Sequence, residues 1–333
     1  TLLTYGADRR DVVTLAMDDQ TKPGTLATAS SPRWAATDMA LSGLYAYIAT
    51  GGTVVPIVDV AWPLHPRQAG RFYAGGPVAG LTVIGNRLYL WDMKRLVVAD
   101  VSDPLRPRAL GEHEMQGVAA DGRILSVAGA GAKLYVVQQT TGLAVLDASE
   151  PAELVELEMI DWPEPREVIV SGPDVFLRAR EHVVLLDLAD PHAPRELGRF
   201  DVARGDARAM ALRDRTVYLG GTSTDPVIRV VDFADPARPA VRGTFEPTWI
   251  GKSVAVDNAT MLLAGDDALQ VIDVSDPGAM RETHFLATRG SGHAVAIRWS
   301  DALVADGNAG FVTFTGVIPR PDLAARAWLP CLP

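Results

Sequence analysis

The sequence predicts an all-β protein whose repeated units close into a ring, and three observations support this. The phrase LVVADVSDPLRPRALG at residues 96–111 returns five more times along the chain, with variations. Each unit contains several short apolar runs separated by turn residues. The aspartate that ends the longest run recurs at intervals of 41, 47, 40, 45 and 41 residues, at Asp59, Asp100, Asp147, Asp187, Asp232 and Asp273. A period of about 40 to 45 residues with short strands in each unit is typical of a β-propeller.

Residues 79–112 show the pattern of one unit best. Apolar runs at 81–84, 88–90, 96–101 and 109–112 are separated by Gly-Asn, by a polar segment around Lys94 and by Asp103-Pro104. Runs of four to six residues between turn signals indicate short β-strands. Each unit is therefore predicted to be one four-stranded antiparallel blade.

Two acidic positions of the unit are predicted to be structural. Asp-Pro steps such as Asp190-Pro191 suit a type I turn, because proline presets φ and the aspartate accepts hydrogen bonds from the turn backbone. The aspartate that ends the apolar run is placed to cap backbone donors of a loop. Metal binding would require several such aspartates to converge, whereas separate blades hold them apart.

The two ends of the chain each match only part of a unit, at residues 11–16 and 311–315. A propeller hides its sheet edges when its first and last strands share a blade. We expect residues 293–315 to supply the inner strands of the closing blade and the N-terminal segment to supply an outer strand. Six units plus this shared blade make seven, and eight blades is the alternative if each end builds its own.

The whole chain, residues 1–333, is expected to form a single propeller domain. Residues 1–33 contribute to the closing blade in this interpretation, and residues 316–333 form a C-terminal tail laid over the last blade.

The repeated phrase at residues 96–107 resembles the LVIVD-repeat family of bacterial β-propellers, and the resemblance extends over roughly residues 34–315. It implies the propeller fold. It also implies a bacterial protein that is secreted, periplasmic or exposed on the cell surface.

Composition and motifs exclude several functional classes. The net charge is −10 without a Lys/Arg block, which argues against nucleic-acid binding. No apolar run reaches the ~18 to 20 residues that a membrane span needs. Cys331 is the single cysteine, and the six histidines do not pair at metal-ligand spacing. No nucleophile elbow, zinc-protease, phosphate-loop or dinucleotide motif is present, so we predict no catalytic residue, no metal and no cofactor.

Alignment of the units indicates one candidate site. Five consecutive units carry a basic or protonatable residue two places before the first large apolar residue of the innermost strand: Arg123, Arg166, Arg208, Lys252 and His293. Links between blades open near the axis on one face, so these side chains are predicted to line one mouth of the central channel. The same links carry Trp34, Trp162 and Trp249.

Two interpretations of this site stay open. In the structural one, each cation pairs with a carboxylate of the next blade, such as Asp38, Glu167 or Asp206, and contributes a little to stability. In the functional one, the cations and tryptophans bind an anionic ligand or an acidic protein segment, because Arg and Trp dominate binding hot spots.

The leading functional hypothesis is a non-catalytic scaffold of the bacterial cell envelope or exterior that binds a protein or ligand through this mouth. The alternatives are a structural subunit of a surface assembly, and a hydrolase or lyase with its site at the mouth and His293 or Asp38 as its base. An enzyme predicts a pocket with a strongly perturbed acid or base, a binder predicts a basic and aromatic face, and an assembly subunit predicts an exposed apolar patch.

Overall fold

The computed structural model describes residues 35–63, 65–116, 122–202, 207–221 and 225–318, together with the backbone of residues 26–29. Trp34, Asp206, Cys331 and the tail after residue 318 lie outside these described residues. Within the described chain the regular structure is almost entirely β, with one 3₁₀ turn at Pro277–Ala279.

The strands form seven antiparallel sheets, which confirms the seven-bladed propeller. A first strand, β1 (Leu26–Ala29), precedes the blades and belongs to the last of them. Blade 1 contains β2 (Asp38–Ser42), β3 (Tyr45–Ala49), β4 (Val54–Asp59) and β5 (Arg67–Tyr73). Blade 2 contains β6 (Gly80–Ile84), β7 (Arg87–Trp91), β8 (Arg95–Asp100) and β9 (Arg108–Glu114). Blade 3 contains β10 (Ile124–Ala130), β11 (Lys133–Gln138), β12 (Gly142–Asp147) and β13 (Val155–Asp161).

The remaining blades repeat this order. Blade 4 contains β14 (Pro165–Ser171), β15 (Asp174–Ala179), β16 (His182–Asp187) and β17 (Arg195–Asp201). Blade 5 contains β18 (Met210–Arg213), β19 (Thr216–Leu219), β20 (Ile228–Asp232) and β21 (Ala240–Phe245). Blade 6 contains β22 (Gly251–Asp257), β23 (Thr260–Asp273) and β24 (Arg281–Ser291). Blade 7 contains β25 (Ala294–Arg298), β26 (Asp301–Ala305) and β27 (Phe311–Phe314).

Blade 6 has three strands because its second and third strands run together as β23. The junction is the exposed pair Asp266 and Asp267, and Asp267 adopts a positive φ of 57°. Aspartate tolerates this left-handed conformation better than most residues.

The closing blade mixes the two ends of the chain, as the sequence predicts, with residues 26–29 as the N-terminal strand, while the partial unit recognised at residues 11–16 lies outside the described residues. Strand β1 pairs antiparallel with β27 from Leu26 opposite Phe314 to Ala29 opposite Phe311. The C-terminal strands β25, β26 and β27 are the inner three, and the N-terminal β1 is the outer one. Of the predicted tail, residues 316–318 are described, and Val317 and Ile318 are buried between blades 6 and 7.

The hydrophobic core lies between blades. The buried apolar residues that the structure describes form seven clusters, and each cluster joins two neighbouring blades. One of them joins Met39 and Ile48 of blade 1 to Leu303 and Phe311 of blade 7. The ring is therefore closed by the same kind of packing that joins every other pair of blades.

The two acidic positions of the repeat make the predicted turns. The aspartate at the end of each third strand of blades 1 to 6 accepts a hydrogen bond from the backbone N–H two residues later, at 2.7 to 3.0 Å. In the Asp-Pro turns, Asp103, Asp190, Asp235 and Asp276 accept from the residue after the proline. Both positions are explained by turn geometry.

A glycine in the fourth strand lets the next blade approach closely. A Cβ added at Gly198 would lie 2.6 Å from the carbonyl carbon of Pro236, in the turn of the following blade. Gly111 approaches the carbonyl carbon of Ala152 in the same way, at 2.8 Å. Real Cβ atoms essentially never lie this close to backbone, so a side chain at either glycine requires the next blade to move.

Candidate functional site

The innermost strands of the seven blades surround a central cavity of about 370 Å³. Arg166, Arg208, Lys252 and His293 line this cavity. Each lies two residues before the buried residue of its innermost strand, as the strand pairings show for Val168, Met210, Val254 and Val295. The fold therefore brings four residues of blades 4 to 7 to one place, although they are separated by 127 residues of sequence from first to last.

Arg123 does not belong to this set. In blade 4, Val168 of the innermost strand pairs with Leu177 of the second strand. The equivalent pair in blade 3 is Val127 with Val136. The position equivalent to Arg166 is consequently Leu125, and Leu125 lines the cavity. Arg123 lies two residues earlier, is exposed, and is absent from the lining. The predicted run of five cationic blades is therefore a run of four.

The error at Arg123 comes from the choice of reference residue. The sequence there offers three apolar candidates, Ile124, Leu125 and Val127, and the alignment counted from Leu125, whereas the strand pairing makes Val127 the reference. The pairing of β10 with β11 shifts register between Ile124 and Ser126, and blades 4 and 6 have the same shift, between Pro165 and Glu167 and between Gly251 and Ser253. The bulge is therefore common to these blades, and Leu125 stands where Arg166 and Lys252 stand.

Of the link tryptophans, Trp162 and Trp249 do not line the cavity, and Trp34 lies outside the described residues. Trp162 is half-buried, and its Nε1 donates a hydrogen bond to Nε2 of His182 at 3.1 Å. Trp249 is 44% exposed, and its carbonyl oxygen accepts from Gln270 at 2.9 Å. The tryptophan that does line the cavity is Trp91, at the end of β7. Its indole lies over Gly80 of the innermost strand, a contact that sequence spacing does not reveal.

Two of the four cationic residues contact carboxylates of their own blades. The Nζ of Lys252 lies 2.6 Å from Asp266 and 2.8 Å from the Ser291 hydroxyl. The hydrogen bond from Lys252 lowers the pKa of Asp266 below its usual range. Arg166 lies 3.9 Å from Glu164. Lys252 thus contacts groups of its own blade, and Asp206, a carboxylate considered as a partner in the structural interpretation, lies outside the described residues.

Arg208 differs from these two. Its side chain is exposed at the cavity, and it makes no ion pair with any residue that the structure describes. An exposed guanidinium at a cavity presents its full set of donors to an incoming anion.

Two carboxylates also line the cavity, Asp38 of blade 1 and Glu167 of blade 4. Each lies one residue after the strand position that the cationic residues occupy in blades 4 to 7. Glu167 accepts a hydrogen bond from Nε of the buried Arg178 at 3.0 Å. Asp38 accepts from the backbone N–H of Met39 at 2.8 Å and of Leu81, in the next blade, at 3.0 Å.

Asp38 has an unusual acidity. Burial raises the pKa of its carboxyl from 3.8 to about 6, the two backbone hydrogen bonds oppose this, and the negative charge of Glu167 adds to it. In the described chain no cation pairs with Asp38. Its carboxylate is held by backbone donors alone.

The hydroxyl groups of Ser126 and Ser253 occupy the same strand position as Asp38. Each contacts the following blade as Asp38 does: the Ser253 hydroxyl oxygen accepts from the N–H of Val295 at 3.1 Å, and that of Ser126 accepts from Val168 at 3.3 Å. An uncharged side chain therefore suffices for this contact between blades. The negative charge of Asp38 is not required for it.

The other histidines do not line the cavity. His113 contacts Glu156 at 3.0 Å and His192 contacts Glu158 at 2.7 Å, both between neighbouring blades. Among the described residues no group of three or more His, Cys, Asp or Glu side chains is arranged to hold a metal ion. The described chain also contains no helix with the length and apolar character to cross a membrane.

Comparison with known families finds the LVIVD repeat in four places, at residues 35–73, 75–112, 122–161 and 253–288. These correspond to blades 1, 2 and 3 and to blade 6. The chain is thus a β-propeller that carries LVIVD repeats. No curated protein sequence matches it.

Solved structures share the fold at low sequence identity. The WD40 repeats of RRP9 superpose with a TM-score of 0.70 at 8% identity, over 92% of this chain and 99% of that one. Sqt1 of Saccharomyces cerevisiae gives 0.63 at 9% identity, over 87% and 97%. The computationally designed protein Ika8 gives 0.62 at 11% identity, over 86% and 98%. At these identities the similarity shows the propeller fold.

Proposed function

We propose that this protein is a non-catalytic binding scaffold whose channel mouth binds an anionic group of a protein partner or ligand. The observation that carries the proposal is the convergence of Arg166, Arg208, Lys252 and His293 on one cavity. The surrounding chain has a net charge of −10. A cationic cavity in an acidic protein gives an anion a localised and oriented site.

The architecture supports this function. Blades bury one another, so the loops and the channel mouth are free to vary without loss of the core. The WD40 repeats among the similar structures belong to a fold class in which such faces serve for binding, and we extend this to the present chain as part of the proposal.

The proposal is tested by charge reversal at the mouth. A fluorescent polyglutamate peptide serves as the acidic probe, with binding measured by anisotropy at low salt. Arg166→Glu with Arg208→Glu should reduce its affinity at least about tenfold, because two attractive charges become repulsive. The melting temperature should be nearly unchanged.

The matched control is Arg106→Glu with Arg108→Glu. Both arginines are exposed around the turn of blade 2, away from the cavity lining, and the change in net charge is the same. Equal weakening by both double variants would show that the peptide responds to net charge alone and would refute the proposed site. Unfolding of the mouth variant, with normal binding by its folded fraction, would make Arg166 and Arg208 structural.

An enzyme is the second candidate, and the acidity of Asp38 favours it. A carboxyl with a pKa of about 6 in a cavity meets one criterion for a general base or acid. A hydrolase or lyase of this design requires Asp38 in its reaction. The test is to screen the wild-type protein and Asp38→Ser against ester, glycoside and uronate substrates. Turnover by wild type that Asp38→Ser abolishes supports catalysis. Turnover that survives in Asp38→Ser excludes Asp38 as the general acid or base.

We further propose that the scaffold acts at the cell envelope or exterior of a bacterium. This assignment rests on the resemblance of the repeated phrase at residues 96–107. Fractionation of the native cells tests it, and recovery of the protein with the cytoplasmic fraction would contradict it.

A further inference from the structure

Six of the charged or protonatable residues that line the cavity form two layers, at two successive positions of the innermost strands, and the seventh, Arg178, lies on β15. The cationic layer consists of Arg166, Arg208, Lys252 and His293. The position one residue further along each innermost strand is occupied by Asp38 in blade 1 and by Glu167 in blade 4. Since a strand rises about 3.3 Å per residue, carboxylates lie roughly that far below the cations along the channel.

The two carboxylates are not equivalent. Glu167 already has a cationic partner, because Arg178 donates to it at 3.0 Å. Among the residues that the structure describes, Asp38 has only the backbone N–H groups of Met39 and Leu81 as partners. Each of its oxygens retains a further lone pair, so the carboxylate can accept from a ligand without losing these contacts.

The charge of Asp38 is unexplained by the fold. Serine makes the same contact between blades at Ser126 and Ser253. A charged group that burial disfavours and packing does not require is a candidate for ligand recognition, since such groups concentrate at functional sites.

We propose that the cavity binds a small zwitterionic ligand, with its anionic group against Arg208 and the neighbouring cations and its ammonium group against Asp38. This proposal rests on the proposed function, in which the mouth binds an anionic group, and adds that the same ligand carries an ammonium group bound by Asp38. The volume of about 370 Å³ is within the range of small-molecule sites. The lining is charged and hydroxylic where it is accessible, which suits a polar ligand with two charged ends.

The experiment uses ω-amino acids of three to six carbons as probes, each compared with the alkanoate and the alkylamine of the same chain length. Binding to the full chain is measured by isothermal titration calorimetry at pH 7.5, where Asp38 is ionised. We expect at least one ω-amino acid to bind about tenfold more tightly than its alkanoate and its alkylamine, the ratio that one additional charge-assisted hydrogen bond supplies.

Two variants copy residues that other blades use at the same position. Asp38→Ser reproduces Ser126 and Ser253, so it keeps an acceptor for the N–H of Leu81. It should reduce the affinity of the ω-amino acid to that of the alkanoate. Arg208→Thr reproduces Thr37 of blade 1 and should reduce it to that of the alkylamine. Arg106→Thr, on the exposed turn of blade 2, is the control that should change neither.

The outcomes separate this proposal from the proposed function. Equal binding of ω-amino acid and alkanoate at every length overturns the zwitterion and leaves an anion site standing. Absence of binding by every ω-amino acid up to 50 mM, on the order of the weakest specific affinities, overturns the zwitterion as well. Loss of polyglutamate binding in Arg166→Glu with Arg208→Glu would still support the mouth as an acidic-partner site.

Discussion

The close approach of Gly198 to the next blade predicts that a single methyl group there disrupts the ring. In Gly198→Ala the new Cβ would lie 2.6 Å from the carbonyl carbon of Pro236, whereas ordinary van der Waals contact begins near 3.4 Å. The carbonyl oxygen of Pro236 is nearer still, and because this obstacle is backbone, side-chain rotation cannot relieve it, so blades 4 and 5 must move apart at this contact. Overpacking of this kind costs roughly 1 to 3 kcal/mol, and we expect about 3 kcal/mol here.

Gly70→Ala is the matched control. Gly70 occupies the same fourth-strand position in blade 1, but its Cβ would lie 3.4 Å from Cδ1 of Ile57 and 3.5 Å from the carbonyl oxygen of Leu105. Neither glycine has a φ that excludes alanine. We expect Gly70→Ala to change the free energy of unfolding by less than about 1 kcal/mol, because the loss of unfolded-state entropy offsets the tighter contact.

Urea unfolding followed by circular dichroism measures both variants. The transition midpoint should fall markedly for Gly198→Ala and little for Gly70→Ala, with the slope m unchanged in each. An equal loss of unfolding free energy in the two variants would refute the argument. It would show that the exchange of glycine for alanine in the strand causes the loss, and that contact with the next blade does not.

Three further predictions concern the cavity and the closing blade. Because the folded pKa of Asp38 is raised to about 6, its contribution favours the folded state below pH 4 and is lost as the pH rises to 6; the free energy of unfolding, measured by urea titration over this pH range, should therefore fall by about 3 kcal/mol more for wild type than for Asp38→Ser, and equal falls in the two proteins would contradict it. Arg178→Met leaves Glu167 without its guanidinium partner and should destabilise the protein by roughly 2 kcal/mol, while addition of Glu167→Gln should recover part of this; identical midpoints for the single and double variants would contradict it. Deletion of residues 1–29 removes β1 and exposes the edge of β27, so the melting temperature should fall and light scattering should detect self-association; an unchanged, monomeric variant would show that β1 does not close the blade.

Much of the fold was predictable because the determinants of a blade are local. The Asp-Pro turns and the aspartate at the end of each third strand act through hydrogen bonds to residues within two positions of sequence. Such contacts repeat with the sequence and can be aligned by eye. The shared closing blade followed from the need to cover a sheet edge, and the pairing of Leu26 with Phe314 confirms it.

The site was predictable only in part, because it depends on contacts between blades. Arg166, Arg208, Lys252 and His293 align with the repeat, but Arg123 was included only because the alignment counted from Leu125 and not from Val127, and the sequence alone does not distinguish these two apolar residues. Trp91 reaches the cavity across a hairpin by lying over Gly80, and no periodic signal marks it. The acidity of Asp38 arises from burial and from Glu167, 129 residues later, which only the closed ring brings near.

The central claim is that the closed ring places cations of blades 4 and 5 beside His293 of blade 7 at one mouth. Proton NMR of the His293 imidazole, assigned with His293→Gln, tests it directly with inorganic pyrophosphate as the probe anion. Titration should move this resonance in the wild-type protein and leave it in place in Arg166→Glu with Arg208→Glu. A resonance that does not move in wild type, or that moves equally in both proteins, would contradict a common cationic mouth.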